Sequence, residues 1–230
     1  MERTAEELSE KANAIKLLFK VNTVSDEEII RQIEETPELI HAKLPSTANL
    51  FIESVLWNRF NITKILVNMG SDIHLKCEPS LIAGNALNVA HSPGQADYLL
   101  DLGIEIEKNL SMKEAFRNPA ISAVFHNDKT MVVYWINKQK ELFPDEELYI
   151  QKLITAVIGT IAMMNQYDML SYVLADEELY CALKEIYSKE EDADSIKQIL
   201  SALRNIKEEA LESKKKELRK ILNARKKAIV

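Results

Sequence analysis

Four histidines and two cysteines are the side chains best suited to hold a metal or to act as nucleophiles, and only His74 and Cys77 lie close together. A structural zinc takes four such ligands, and a catalytic zinc takes three plus an open position. No second His/Cys pair lies near these two, and His74 and His41 fall at matching turns of a recurring pattern. A turn role is expected for both histidines, and no metal. Cys77 and Cys181 are too few and too far apart for a disulfide framework, which suits a reducing compartment and makes the cytoplasm the default location. The carboxylate groups Glu27/Glu28, Asp145/Glu146/Glu147 and Asp176/Glu177/Glu178 have the spacing for acid–base work, but each stands at the start of a predicted helix, where negative charge complements the dipole. Ser54 and Ser122 lack a GxSxG elbow. Neither GxGxxG nor GxxxxGK[ST] is present to bring amides up to a phosphate. The chain is therefore expected to be no enzyme and to carry no cofactor.

These residues sit in a framework that composition restricts. The 230 residues are 47% hydrophobic and 28% charged, ample for a globular core. Five glycines and six prolines with 7% aromatics suit helices joined by short turns better than a β-sandwich or barrel. The N-terminal MERTAEELSEKANAIK has no apolar signal region, and the longest apolar run, Leu153 to Met164, falls short of the roughly 20 residues that span a bilayer. No membrane insertion is expected. The net charge of −7 is uneven: from Leu211 to Val230, eight basic residues against Glu212 and Glu217 give +6, leaving −13 on the rest. An acidic body repels phosphates, so nucleic acid is not an expected partner.

The chain repeats itself. Ile65-Leu66-Val67-Asn68-Met69-Gly70-Ser71-Asp72-Ile73-His74 recurs as Tyr98-Leu99-Leu100-Asp101-Leu102-Gly103-Ile104-Glu105-Ile106-Glu107, with the two glycines 33 residues apart. Each glycine closes an apolar helical stretch, a position where a left-handed residue without a Cβ ends a helix at least cost. Asn49-Leu50-Phe51-Ile52-Glu53-Ser54-Val55, Asn85-Ala86-Leu87-Asn88-Val89-Ala90 and Asn118-Pro119-Ala120-Ile121-Ser122-Ala123-Val124 read as successive helix starts. On these segments the chain resembles the ankyrin-repeat family, whose unit of about 33 residues is a turn plus two antiparallel helices. The resemblance runs clearly from Ser25 to Asn137 and in degenerate form from Glu146 to Leu174. No TPLH string is present, Asn replaces its Thr, and the middle repeat is short by about one helical turn near His91-Ser92-Pro93-Gly94.

The resemblance implies an all-α solenoid of about four to five repeats over 25–187; Leu8, Ala12, Ile15 and Phe19 predict an N-terminal capping helix within 1–24, Leu179, Leu183 and Ile186 a helix that caps the other end, and 188–230 a charged amphipathic C-terminal helix. It also implies non-catalytic recognition of a protein partner on the concave face. Carried over by position, that face comprises Leu56 and Trp57, His91 and Ser92, Phe125 and His126, and Met163 and Met164. Asn58, Arg59, Asn127 and Asp128 would form a polar rim, and Pro45, Ser46 and Ala48 the hairpin contacts. Trp57 is the expected anchor, since tryptophan buries much area with few rotamers to freeze. Trp135 and Tyr134 are expected to pack in the core.

Ile199, Leu200, Leu203, Ile206, Ala210, Leu211, Leu218, Ile221 and Leu222 predict one long apolar stripe. That helix either packs back on the last repeat, pairs with a partner helix through 196–225, or touches an acidic surface or membrane lipid with its basic end. A bacterial effector or regulator, delivered into a host cell in one version, is the expected context. The alternatives are an inhibitor or immunity-type protein that occludes an enzyme and, remotely, an enzyme with an unrecognised site.

Overall fold

The computed structural model describes residues 4–21, 23–42, 44, 49–77, 84–111, 114–189 and 192–229. The described residues are helical, as the composition predicts, and contain no strand; Cys77 and Gly84 form one isolated bridge. No helix among them is long and apolar enough to cross a membrane. Two compact units are present, 1–108 with 116–119 and 109–115 with 120–230, so the division falls inside the stretch 25–187.

The first unit begins with α1 (Ala5–Phe19), closed by a capping box in which Thr4 Oγ1 accepts from the Glu7 amide and Glu7 accepts from the Thr4 amide. Ala12, Ile15 and Phe19 form its buried face. Next come α2 (Asp26–Glu34), capped by Ser25, and a 3₁₀ turn over Pro37–His41. The pair α3 (Leu50–Leu56) and α4 (Phe60–Asn68) follows, then a 3₁₀ turn over Ala86–Val89 and α5 (Pro93–Asp101). This first element, Ala86–Val89, is four residues of 3₁₀ turn where α3 has seven of α-helix. Ser92 caps α5 and Pro93 opens it, and a proline has no N–H to continue a preceding helix.

Asparagines do two jobs in this unit. Asn49 Oδ1 accepts from the Ile52 amide at 3.0 Å while its Nδ2 donates to the Asp72 carbonyl at 2.9 Å. Asn85 repeats the pair with the Leu87 amide and the Glu105 carbonyl, and Asn118 Nδ2 donates to the Glu107 carbonyl. Each cap also ties a helix start to a distant turn.

A second recurrence closes the helices. Asn58, Asn127 and Asn165 have φ of 52°, 55° and 57°, and Gly70 and Gly103 have φ of 89° and 82°. In all five turns the residue after the left-handed one donates to the carbonyl five positions earlier, as Arg59 does to Ser54 and Ser71 to Leu66. α3 thus ends on asparagine, as do the helices before Asn127 and Asn165, and α4 and α5 end on glycine. A Cβ at Gly70 or Gly103 would meet no atom within 4 Å, so only the backbone resists a side chain there. Gly70→Ala and Gly103→Ala are each expected to cost about 1–2 kcal/mol, measured by urea unfolding. Equal stability of both variants and wild type would contradict this assignment.

The second unit contains α6 (Pro119–Phe125), α7 (Lys129–Leu142), α8 (Glu147–Met163), α9 (Tyr167–Ala175), α10 (Glu177–Lys189), α11 (Ala193–Asn205) and α12 (Glu212–Ile229). Trp135 is fully buried, with Tyr134 half-buried and edge-on to it at 5.1 Å. The single long C-terminal helix predicted from the apolar stripe is not formed. The chain leaves helical geometry at Ile206, turns through Glu209–Leu211 and comes back. Ala210, which carries the three-and-four phase on from Ile206, is exposed, burial moves to Leu211, and the charged Lys207, Glu208 and Glu209 occupy the bend.

The return is fixed by polar links. Lys215 Nζ donates to the Ile206 carbonyl at 2.7 Å, and Arg219 donates to the Leu203 carbonyl at 2.8 Å. α11 packs on α8, and α12 packs on both α10 and α11. Ile196, Ile199, Leu200, Leu203, Ile206, Leu211, Leu218 and Leu222 are buried. Of the alternatives for this apolar seam, packing against the chain's own helices is the one seen, and a partner helix through 196–225 would find it covered. Tyr180 locks α12 to α10: its hydroxyl donates to Glu217 at 2.6 Å, and Lys184 and Lys214 stand over its ring. Burial first, and then Glu217, push its phenol above the ordinary tyrosine range.

Candidate interaction surface

The two residues before each left-handed asparagine are Leu56 and Trp57, Phe125 and His126, and Met163 and Met164. Leu56 is half-buried, whereas Trp57, Phe125, Met163 and Met164 are 39%, 46%, 58% and 41% exposed, and His126 is exposed. Large apolar side chains left open at a repeated position need an explanation beyond core packing.

Trp57 is held in place. Its indole N–H donates to Glu53 Oε2 at 2.9 Å, and Lys20 Nζ stands over its ring at 5.0 Å. Glu53 is only 1% exposed, and its other oxygen pairs with Lys16 Nζ at 2.6 Å. A carboxylate this deep is tolerated because it is paired and hydrogen-bonded. The sequence carried a signal for this: α3 is apolar all round apart from Glu53 and Ser54, so a charge within it has to be buried with a partner.

Neighbouring turns are stitched together by side chains. Arg59 Nε donates to the Phe19 carbonyl, Gln95 Nε2 to the Val55 carbonyl, and Gln166 Nε2 to the Val124 carbonyl. Donor and acceptor are 40, 40 and 42 residues apart. Each link reaches the end of an earlier helix, where carbonyls lack a helical partner. In the second unit the Gln166 link brings the Met163–Met164 turn alongside the turn that carries Phe125.

Several residues predicted as partner contacts have work inside the fold. Arg59 is not a rim residue: it also donates to the Val21 and Val24 carbonyls and pairs with Asp26 at 3.0 Å, with its side chain only 14% exposed. The reason is that a planar guanidinium satisfies several acceptors at once. Ser92 Oγ accepts from the Gln95 amide and caps α5, and the His91 amide donates to Gln95 Oε1; both residues are half-buried. Asp128 Oδ1 accepts from the Met131 amide and caps α7. Asn58 and Asn127 are exposed but shape the backbone of their turns. Pro45, Ser46 and Ala48 lie outside the described residues.

The residues first weighed for chemistry are dispersed. Ser54 Oγ donates to the Phe51 carbonyl and shares a hydrogen bond with Thr63. Ser122 is buried. Asp176 accepts from the Leu179 amide at the start of α10, and hydrogen bonds from Arg31 and then Gln32 hold the Glu28 carboxyl below its usual range. His74 is exposed next to an Asp72 turn, while Cys77 is buried, and no group of three metal-ligating side chains occurs among the described residues. A groove of about 480 Å³ between α8 and α10, lined by Leu148, Thr155 and Ile186 among others, has the Glu185–Lys189 pair at its wall.

No protein family, curated protein or solved structure matches the chain.

Proposed function

We propose that this chain is a non-catalytic protein-recognition module whose helix pairs are divergent ankyrin-type repeats, and that it binds a protein partner through its turn residues. The observation that carries the reading is the recurrence of exposed apolar side chains, Trp57, Phe125, Met163 and Met164, in the two positions before the left-handed asparagine of three turns. Interfaces are enriched in aromatic residues and methionine, and depleted in charge at their centre. The tied indole of Trp57 adds to this, because a side chain fixed before binding loses little entropy on contact. The paired asparagine links and the glycine-closed helices, 33 residues apart at Gly70 and Gly103, support the repeat assignment.

The test is affinity capture from the source cell's lysate with wild-type chain, Trp57→Ala, Phe125→Ala and a control, Leu148→Ala, whose leucine is exposed on α8. Truncating a central aromatic is expected to lower capture of the same partner about tenfold or more, from a loss of about 1.5–3 kcal/mol. Leu148→Ala is expected to capture as the wild type does. Equal capture by all four proteins would refute the proposal.

A further inference from the structure

The Trp57 turn carries a feature that defines the chemistry of its partner, and the following rests on the reading of that turn as a binding surface. Lys16 and Glu53 neutralise one another, as do Arg59 and Asp26. Lys20 is exposed and forms no ion pair among the described residues, and its ammonium lies over the Trp57 ring. On α1, Leu17 is one turn before Lys20 and Val21 directly follows it, with exposures of 59% and 41%. The Arg59 bonds to the Phe19 and Val21 carbonyls fix this end of α1 against the Trp57 turn. The result is one ammonium over the Trp57 ring, with the exposed Leu17 and Val21 on the adjoining end of α1, on a surface held rigid by the links beneath it.

We propose that this patch binds a partner segment carrying a single carboxylate side chain flanked by aliphatic or aromatic residues. The apolar flanks would cover Leu17, Val21 and Trp57 and exclude water, and a charge-assisted hydrogen bond to Lys20 gains strength as water leaves. An acidic run does not fit. Lys16 and Arg59 are already paired, so a second carboxylate would find no free counter-charge beyond the one that Lys20 offers. A basic segment is repelled by Lys20 itself.

The test is selection from a phage-displayed library of random dodecapeptides on the immobilised full chain, on Lys20→Glu and on Trp57→Ala. Lys20 is exposed at the C-cap of α1, so its reversal leaves the core untouched. Wild type is expected to enrich peptides with one Asp or Glu next to Leu, Ile, Phe or Trp. Lys20→Glu is expected to enrich Lys or Arg at that place, and Trp57→Ala to lose both sets. For a synthetic copy of the best wild-type peptide, changing its acid to the amide is expected to weaken binding at least fivefold. Peptides lost with Trp57→Ala but unchanged in charge by Lys20→Glu would overturn the inference and leave the Trp57 turn as a binding surface. Selection indifferent to Trp57→Ala, or no enrichment over the bare support, would overturn both.

Discussion

Lys16→Met is expected to destabilise the first unit by about 3–5 kcal/mol, the usual cost of taking one partner from a buried ion pair. Glu53 is 1% exposed and would lose the ammonium at 2.6 Å, keeping its bond from the Trp57 indole. The methionine fills the space of the lysine stem, so the loss is electrostatic rather than a cavity. Removing both charges reverses most of it, since well-packed apolar replacements of a buried pair are often neutral or stabilising. Lys16→Met with Glu53→Leu is therefore expected to recover more than half of the loss. The measurement is urea unfolding followed by fluorescence of Trp57, in a Trp135→Phe background that leaves it as the sole tryptophan. A double variant as unstable as the single one would show that packing at this site, and not charge, supports the turn.

Arg59→Ala is expected to cost about 3 kcal/mol, since hydrogen bonds to charged groups contribute about 1.5–3 kcal/mol each and their losses overlap. The guanidinium serves the carbonyls of Phe19, Val21 and Val24 and the Asp26 carboxylate together. Arg59→Lys keeps the charge but puts one compact ammonium where a planar fork reached four acceptors, so it is expected to restore less than half of the stability. In both variants the end of α1 loosens from the Trp57 turn, and proteolysis after Lys20 should quicken in proportion. An Arg59→Lys protein as stable as wild type would mean that charge alone, without the fork, holds this junction.

Much of the helical order was legible because its causes are local. Ser25 and Asn49 cap where their side chains predict, Pro119 opens α6 without a missing hydrogen bond, and Gly70 and Gly103 end helices where a left-handed residue is needed. What escaped the sequence depends on residues far apart. An arginine in a turn looks solvent-facing until the carbonyls some 40 residues earlier are placed around it, and Asn58 and Asn127 look like a polar rim until their φ is known. The break after Asn205 was hidden for another reason. Lys207, Glu208 and Glu209 suit the outer face of a helix as well as a bend, and Ala210 keeps the apolar spacing unbroken although it is exposed in the fold. Within the candidate surface, the exposed aromatics were legible from position alone, whereas the structural work of Arg59, Ser92 and Asp128 was not.

The side-chain stitches between turns have a bearing on how the chain acquires its structure. Their reach of 40 to 42 residues is close to the length of one helix pair with its connection, so each link joins a segment to the one made just before it. Folding rates rise as contacts become more local in sequence. A nascent chain can therefore close Phe19 to Arg59 while Gln95 is still being added, and then use that finished pair as the template for the next.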